Sequence, residues 1–160
     1  MSKLWRRIVL WWRCSLRFKV RLTPGGLRMT NAEVGRAGEE LAAKWLKRHG
    51  RKVLYRNFSG PKGGEVDIVC RHGDTLTFVE VKTRTSEAFG RPADAVNLDK
   101  QRLIQRGAAE WLRMLNRPVI NFRFDIAEVI LAEGQRPVVS VIENAFQLPA
   151  GNMMGRVRSG

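Results

Sequence analysis

Gly64-Glu-Val-Asp-Ile-Val-Cys70, the turn His72-Gly-Asp-Thr75 and the continuation Leu76-Thr-Phe-Val-Glu-Val-Lys-Thr-Arg84 read as a β-hairpin that carries its charges in a pattern. Side chains alternate along a strand with a period of two, so Glu65 and Asp67 share one face while Val66, Ile68 and Cys70 take the other. On the second strand Leu76, Phe78, Glu80 and Lys82 line one face, with Val79 and Val81 behind them. A two-residue loop at Gly73-Asp74 pairs His72 with Thr75, and counting back sets Asp67 opposite Glu80 and Glu65 opposite Lys82. Opposed carboxylates at about 5 Å repel by roughly 3 kcal/mol at an effective dielectric near 20. A divalent cation removes that penalty. Mg²⁺ prefers one or two carboxylates completed by water and phosphate, the donor set of a phosphodiester hydrolase. Lys82 points at the same place, where it would orient a water or stabilise charge building on the phosphate. The competing reading is a solvated hairpin face with compensating charges.

Further pieces sharpen the choice. In order along the chain they are Gly35-x-x-Gly38-Glu39-x-x-Ala42, Gly63-Gly-Glu-Val-Asp67, Phe78-Val-Glu-Val-Lys-Thr-Arg84, Phe89-Gly-x-Pro92, Val96-x-x-x-Lys100 and Arg123-Phe-Asp125. The succession Asp67, Glu80, Lys82 resembles the PD-(D/E)xK nuclease superfamily. More narrowly, the stretch from Gly35 to Val129 resembles the bacterial YraN family, which is similar to archaeal Holliday-junction resolvases. The resemblance implies an αβββαβ restriction-endonuclease-like core, a three-layer α/β sandwich around a mixed sheet. It implies Mg²⁺ or Mn²⁺ as cofactor and DNA, branched DNA included, as substrate. Asp67 and Glu80 would hold the metal with Glu39 completing the set, Lys82 would position water, and Glu65 would assist or pair with Lys82. Lys62, Arg84, Lys100 and Gln101 would contact nucleic acid, and cutting of paired strands would suit a homodimer. A different class of function, a non-catalytic nucleic-acid-binding adaptor on the same fold, needs no facing acids.

Composition agrees with a polyanionic partner. Lys and Arg outnumber Asp and Glu by 29 to 15 over 160 residues, the electrostatic footprint of a nucleic-acid binder. Eight of those bases fall in residues 1–30 together with no acid. Two cysteines, Cys14 and Cys70, exclude a disulfide scaffold and a four-cysteine zinc site. Cys70 falls on the apolar face of its strand, as a buried thiol. His49 and His72 have no partner at ligand spacing and read as solvent-facing turn residues. No phosphate-cradling glycine loop ends in Gly-Lys-Ser or Gly-Lys-Thr.

The chain divides into a basic, tryptophan-rich extension (1–29), an endonuclease-like domain (30–148) and a disordered tail (149–160) rich in Gly, Asn and Arg. Its longest apolar run near the start, Ile8 to Trp12, is too short to span a bilayer or to serve as a signal-peptide core, so a cytoplasmic location is expected. Residues 1–18 lay on a helix with Trp5, Ile8, Trp12 and Leu16 on one side and Lys3, Arg6, Arg13 and Arg17 on the other, a pattern suited to peripheral membrane contact or to nucleic acid. Alternatively, residues 1–28 are leader sequence ahead of a start at Met29.

Within the domain, Thr30-x-x-Glu33 forms a capping box, and Val34, Ala37, Leu41, Trp45 and Leu46 recur at helical spacing up to His49-Gly50. Lys52 to Phe58 reads as a strand, and Ser59 to Gly64 as a flexible loop. Asn97 caps a second helix with Leu103, Ile104, Ala108, Trp111, Leu112 and Leu115 on its buried side. Ile120 to Leu131 alternates as a strand, and Gly134-Gln135 turns it into Val138 to Ile142.

A chain beginning at Met29 is expected to melt as a folded protein and to keep any metal-dependent cleavage. Its DNA affinity should fall less steeply with salt than that of the full chain, because fewer phosphates are neutralised. Thermal melting and DNA titrations across salt concentrations check this; an unfolded Met29 chain would place the extension in the core.

Overall fold

A computed structural model of the protein describes residues 12–13, 29–86 and 96–147. Within them run β1 (Trp12–Arg13), α1 (Asn31–Arg48), β2 (Arg51–Gly60), β3 (Gly64–His72), β4 (Thr75–Arg84), α2 (Leu98–Met114), β5 (Asn121–Ile130) and β6 (Val138–Phe146). The strands form one sheet in the order β1-β6-β5-β4-β3-β2. Only β4 and β5 run parallel, joined through α2; every other neighbouring pair is antiparallel. The expected αβββαβ order is therefore present, extended by β6 and the short β1.

Helix α1 starts where its cap requires. Thr30 Oγ1 accepts from Glu33 N at 3.3 Å, and Glu33 Oε2 accepts from Thr30 N at 2.7 Å, so two otherwise orphaned donors are satisfied reciprocally. It ends at His49, followed by Gly50 at φ +77°, a left-handed conformation that glycine adopts without steric cost. Asn97 caps α2 in the same manner, accepting from Lys100 N at 2.9 Å.

The helices cover opposite faces of the sheet. Ala42, Trp45 and Leu46 of α1 pack on Ile68, Cys70, Val79, Val81, Ala127 and Val129. Ile104, Ala108 and Leu112 of α2 pack on Val66, Val69, Leu76, Phe78, Phe124 and Ile126. Alternation along β4, with Phe78 to one helix and Val79 to the other, makes the three layers. Val66 departs from the expected pattern: it lies with α2 rather than beside Ile68 and Cys70. Leu115 is 48% exposed instead of buried, and Glu110 occupies the buried side of α2 in its region. The loop expected from Ser59 to Gly64 is only a tight turn at 61–63 between β2 and β3.

Three glycines set how near the helices approach. A Cβ on Gly64 would lie 2.3 Å from Gly107 N, and one on Gly107 would lie 2.9 Å from Val66 Cγ2, so α2 rests directly on the start of β3. On the other face, a Cβ on Gly38 would lie 1.9 Å from Thr83 Oγ1, which presses α1 onto the end of β4.

The histidines, expected as solvent-facing, are half-exposed and carry contacts that the sequence did not suggest. His49 stacks on Trp45 with ring centroids 3.7 Å apart, and its Nδ1 lies 2.8 Å from Trp45 O. His72 Nδ1 lies 3.0 Å from Arg123 Nη2, inside a network in which Arg51 reaches Asp125 at 2.6 Å and Glu143 at 2.7 Å. Trp12 and Arg13 are strand, paired with Val139 and Val138, where a helix was expected. Residues 1–11 and 14–28 of the extension, the Phe89–Pro92 piece and the tail lie outside the described residues.

Replacing Gly38 by Ala should lower stability by about 1–3 kcal/mol, overpacking outweighing the roughly 1 kcal/mol helix-propensity gain of alanine. Adding Thr83→Ala should recover part of the loss. Denaturant melts of the two single variants and the double variant measure the coupling; an unperturbed Gly38→Ala would mean that α1 does not seat on Thr83.

Candidate active site

The hairpin has the register that its turn chemistry predicts, His72 opposite Thr75 and onward to Ile68 opposite Val79, and there the ladder stops. Beyond it β3 stays paired with β2, through Glu65 with Ser59 and Gly64 with Gly60, while β4 stays paired with β5 as far as Arg84 with Ile130. The two strands therefore part like a fork, and the start of β3 goes to α2 through the Gly64–Gly107 contact. Asp67 sits in the fork. Its Oδ2 accepts from Val81 N at 2.7 Å, so a side-chain carboxylate takes the position of a main-chain carbonyl along β4. Asp67 and Glu80 come together, but as two side chains at the head of a fork rather than as a hydrogen-bonded cross-strand pair.

Glu80 is the electrostatic centre of this end of the sheet. Only 2% of it is exposed, and its Oε2 is buried with no hydrogen-bond partner among the described residues. Its Oε1 receives Lys82 Nζ at 3.0 Å and Lys100 Nζ at 3.4 Å. Burial, reinforced by the charge of Asp67, pushes the Glu80 carboxyl up to about 7 against the pull of Lys100 and Lys82. A buried carboxylate with an unpartnered oxygen is costly, which marks it as a candidate functional group.

Glu39 arrives from α1. Burial, and then the charge of Asp67, hold its carboxyl above the usual glutamate range, while a hydrogen bond with Asn57 opposes the shift. Neighbouring Glu40 faces away and pairs with Lys44 at 2.6 Å. Glu39, Lys82 and Arg84 line a cleft of about 690 Å³ that also takes in Asn31, Gly35 and Thr83 to Ser86, between the start of α1 and the end of β4. Arg84 is ion-paired with Glu128 at 3.1 Å, and Glu128 is raised by burial against that arginine's pull.

Glu65 pairs with Lys100, not with Lys82 as the uninterrupted ladder suggested. The cause is the fork, which turns the start of β3 toward α2. Gln101 gives its Nε2 to Val96 O at 2.9 Å, fixing the lead-in to α2, and Lys62 is exposed on the β2–β3 turn. Asn57 was missed. It sits at φ +52° in β2, a conformation in which Asn is enriched, but nothing local to the sequence ties it to Glu39. Cys70 is buried as expected, its thiol pushed up to about 11 by that burial, which removes it from nucleophilic chemistry near neutral pH.

Among the described residues no three His, Cys, Asp or Glu side chains converge as a ready-made metal cage. Asp67 and Glu80 nonetheless suit a hard cation that takes two carboxylates and completes its shell with water or phosphate, and the orphaned Glu80 Oε2 is the oxygen such an ion would satisfy. Among the described residues no helix is long and apolar enough to cross a membrane.

The model of the uncharacterised protein family UPF0102 matches residues 38–129, which takes in the fork, both lysines and most of β5. The chain belongs to the UPF0102 family. A UPF0102 protein of Geobacter metallireducens is 44% identical over 122 residues, covering 76% of this chain and 98% of the relative. One from Rhodococcus opacus is 40% identical over 72% of this chain and 98% of its own length. One from Caldicellulosiruptor saccharolyticus is 40% identical over 74% and 100%, respectively. This is the family expected from the YraN-like motifs.

Folded Glu80 keeps its proton to about pH 7, whereas an ordinary glutamate releases it near 4.5, so the folded chain binds the extra proton between those values. Stability should therefore fall as pH rises through that window. Glu80→Gln should remove the fall and be the more stable chain above pH 7 without metal, by roughly 3 kcal/mol at most. Thermal melts in chelator at pH 5 and pH 8 compare the two; equal Tm differences at both pH values would place the Glu80 carboxyl at ordinary acidity.

Proposed function

We propose that this protein is a Mg²⁺- or Mn²⁺-dependent endodeoxyribonuclease of the PD-(D/E)xK type, akin to Holliday-junction resolvases, acting in the cytoplasm with branched DNA among its substrates. The observation that carries this reading is the buried Glu80 carboxylate oxygen, unpartnered among the described residues, beside Asp67 and Lys82 at the strand fork. A protein that merely bound a polyanion would be weakened by such acids, since phosphate is repelled by them.

Asp67 and Glu80 would hold the divalent ion, which would supply Lewis acidity toward a phosphoryl oxygen and a water. The protein groups do the rest. Asp67 is held rigidly by its bond to Val81 N and Glu80 by its burial, so neither carboxylate has to be ordered when the substrate arrives. Glu39, presented by α1 at the edge of the cleft, completes the acidic set and can accept a proton from water. Lys82 offers an ammonium at this place, where it orients the attacking water and balances charge that builds on the phosphate. Arg84 in the cleft, Lys62 on the β2–β3 turn and Lys100 at the head of α2 would supply positive charge for the flanking phosphates, while Gln101 steadies α2. A homodimer would place two such sites on paired strands.

Lys82→Ala should lower metal-dependent cleavage of branched or duplex DNA by about 100-fold or more and leave DNA affinity nearly unchanged, because the lysine acts on the transition state. Asp67→Asn should abolish both cleavage and calorimetric binding of Mn²⁺. Full turnover in Lys82→Ala would show that any cleavage arises elsewhere.

A further inference from the structure

Lys100 occupies an unusual position. It is in the first turn of α2, with its main-chain N–H bonded to the Asn97 cap. A cation is disfavoured at that end of a helix by the exposed N–H dipoles. Asp99 beside it follows the rule, pairing with Arg102 at 2.8 Å, whereas Lys100 turns its side chain away from its own helix. The ammonium reaches across to β3 and β4, where it meets Glu65 and lies 3.4 Å from Glu80 Oε1. Lys82 Nζ lies 3.0 Å from the same oxygen. One oxygen of Glu80 is thus shared by two ammonium groups while the other has no partner among the described residues. The seating of Gly107 against Gly64 and Glu65 fixes α2 at the distance that makes this reach possible.

We propose that Lys100 is a built-in counter-ion, its ammonium standing among the site carboxylates in the metal-free chain and giving way to a divalent cation. This inference rests on the reading of Asp67 and Glu80 as cation ligands. Lys82 and Lys100 already crowd one oxygen of Glu80, so a divalent cation would add a third and stronger positive charge, and its entry drives the more distant ammonium, that of Lys100, outward. Lys100 has a long, flexible stem and a point charge that needs no fixed fork geometry, so it can exchange one anionic partner for another. The partner that awaits outside is a substrate phosphate. The site therefore never holds its acids bare: Lys100 neutralises them before loading and becomes a phosphate contact afterwards. This assigns Lys100 a role in setting metal affinity as well as in binding nucleic acid.

The test is a Mn²⁺ titration of the full chain, its Lys100→Gln, Lys100→Arg and Asp67→Asn variants by calorimetry at low ionic strength, where charge effects are least screened. Lys100→Gln should bind Mn²⁺ about tenfold tighter than the unaltered chain, Lys100→Arg much closer to it, and Asp67→Asn not measurably. If the unaltered chain binds Mn²⁺ through Asp67 but Lys100→Gln binds equally or more weakly, the counter-ion role is overturned and the metal reading stands. If neither the unaltered chain nor Lys100→Gln binds millimolar Mn²⁺, the metal reading fails and this inference with it. Lysine side-chain ¹⁵N NMR of the unaltered chain reads the same event without a substitution, the Lys100 signal being assigned from Lys100→Arg. Saturating Mg²⁺ should shift that signal; an unmoved signal would overturn the proposal.

Discussion

The parting of β3 from β4 is the constraint on which the rest of the site depends. One hairpin strand must satisfy β2 on one side and accommodate α2 above it, while the other must follow β5. Gly64 and Gly107, each lacking the carbon that would collide with the other's neighbourhood, let α2 draw the start of β3 aside. The fork leaves a main-chain N–H of β4 to be met by the Asp67 carboxylate, and it frees Glu65 to meet Lys100. Without the fork, Asp67 and Glu80 would be one more cross-strand pair, repelling each other on a regular ladder.

Charge is buried at both ends of the sheet, to different ends. Midway along β5, Asp125 is fully buried yet held by Arg51, by Arg123 and by the Asn144 N–H at 2.9 Å, in a network that extends to the strand ends remote from the fork. Arg51, His72 and Glu143 join that pair of β5 residues from other strands, so the network aligns β2, β3, β5 and β6; removing one partner would strand the others in low dielectric. Glu80 is buried nearly as deeply, with one oxygen left unpartnered among the described residues. A satisfied buried acid is architecture. An unsatisfied one is a reservoir of interaction energy open to a ligand.

What could be read from the sequence was local. Thr30 and Glu33 announce the start of α1, Asn97 the start of α2, and Gly73-Asp74 the turn and the register of the hairpin, because capping and turn chemistry act over three or four residues. That register brought Asp67 near Glu80 correctly. Where it broke, distant elements intervened: Val66 changes sides because α2 is there to receive it, and Glu65 takes Lys100 because the fork turns it away from Lys82. His72 is half-exposed in its turn as its position suggests, but nothing near it in sequence hints at its contact with Arg123. Arg123 and Asp125 were visible as a motif, but their structural part depends on Arg51 and Glu143, which strand-period reasoning does not connect.

The parallel pairing of β4 with β5, from Thr75 with Asn121 to Arg84 with Ile130, carries a consequence for the order of folding. A parallel pair cannot close through a tight turn; here it waits for the whole of α2 and the segment leading to it, and long loop closures are slow and come late. Glu80 lies opposite Ile126 in that pairing. Until β5 docks, one flank of Glu80 lacks the cover that the folded sheet gives it. During synthesis, then, the hairpin with Asp67 and Glu80 can form while the chain is still growing, but the burial of Glu80 is complete only once residues near 130 have left the ribosome.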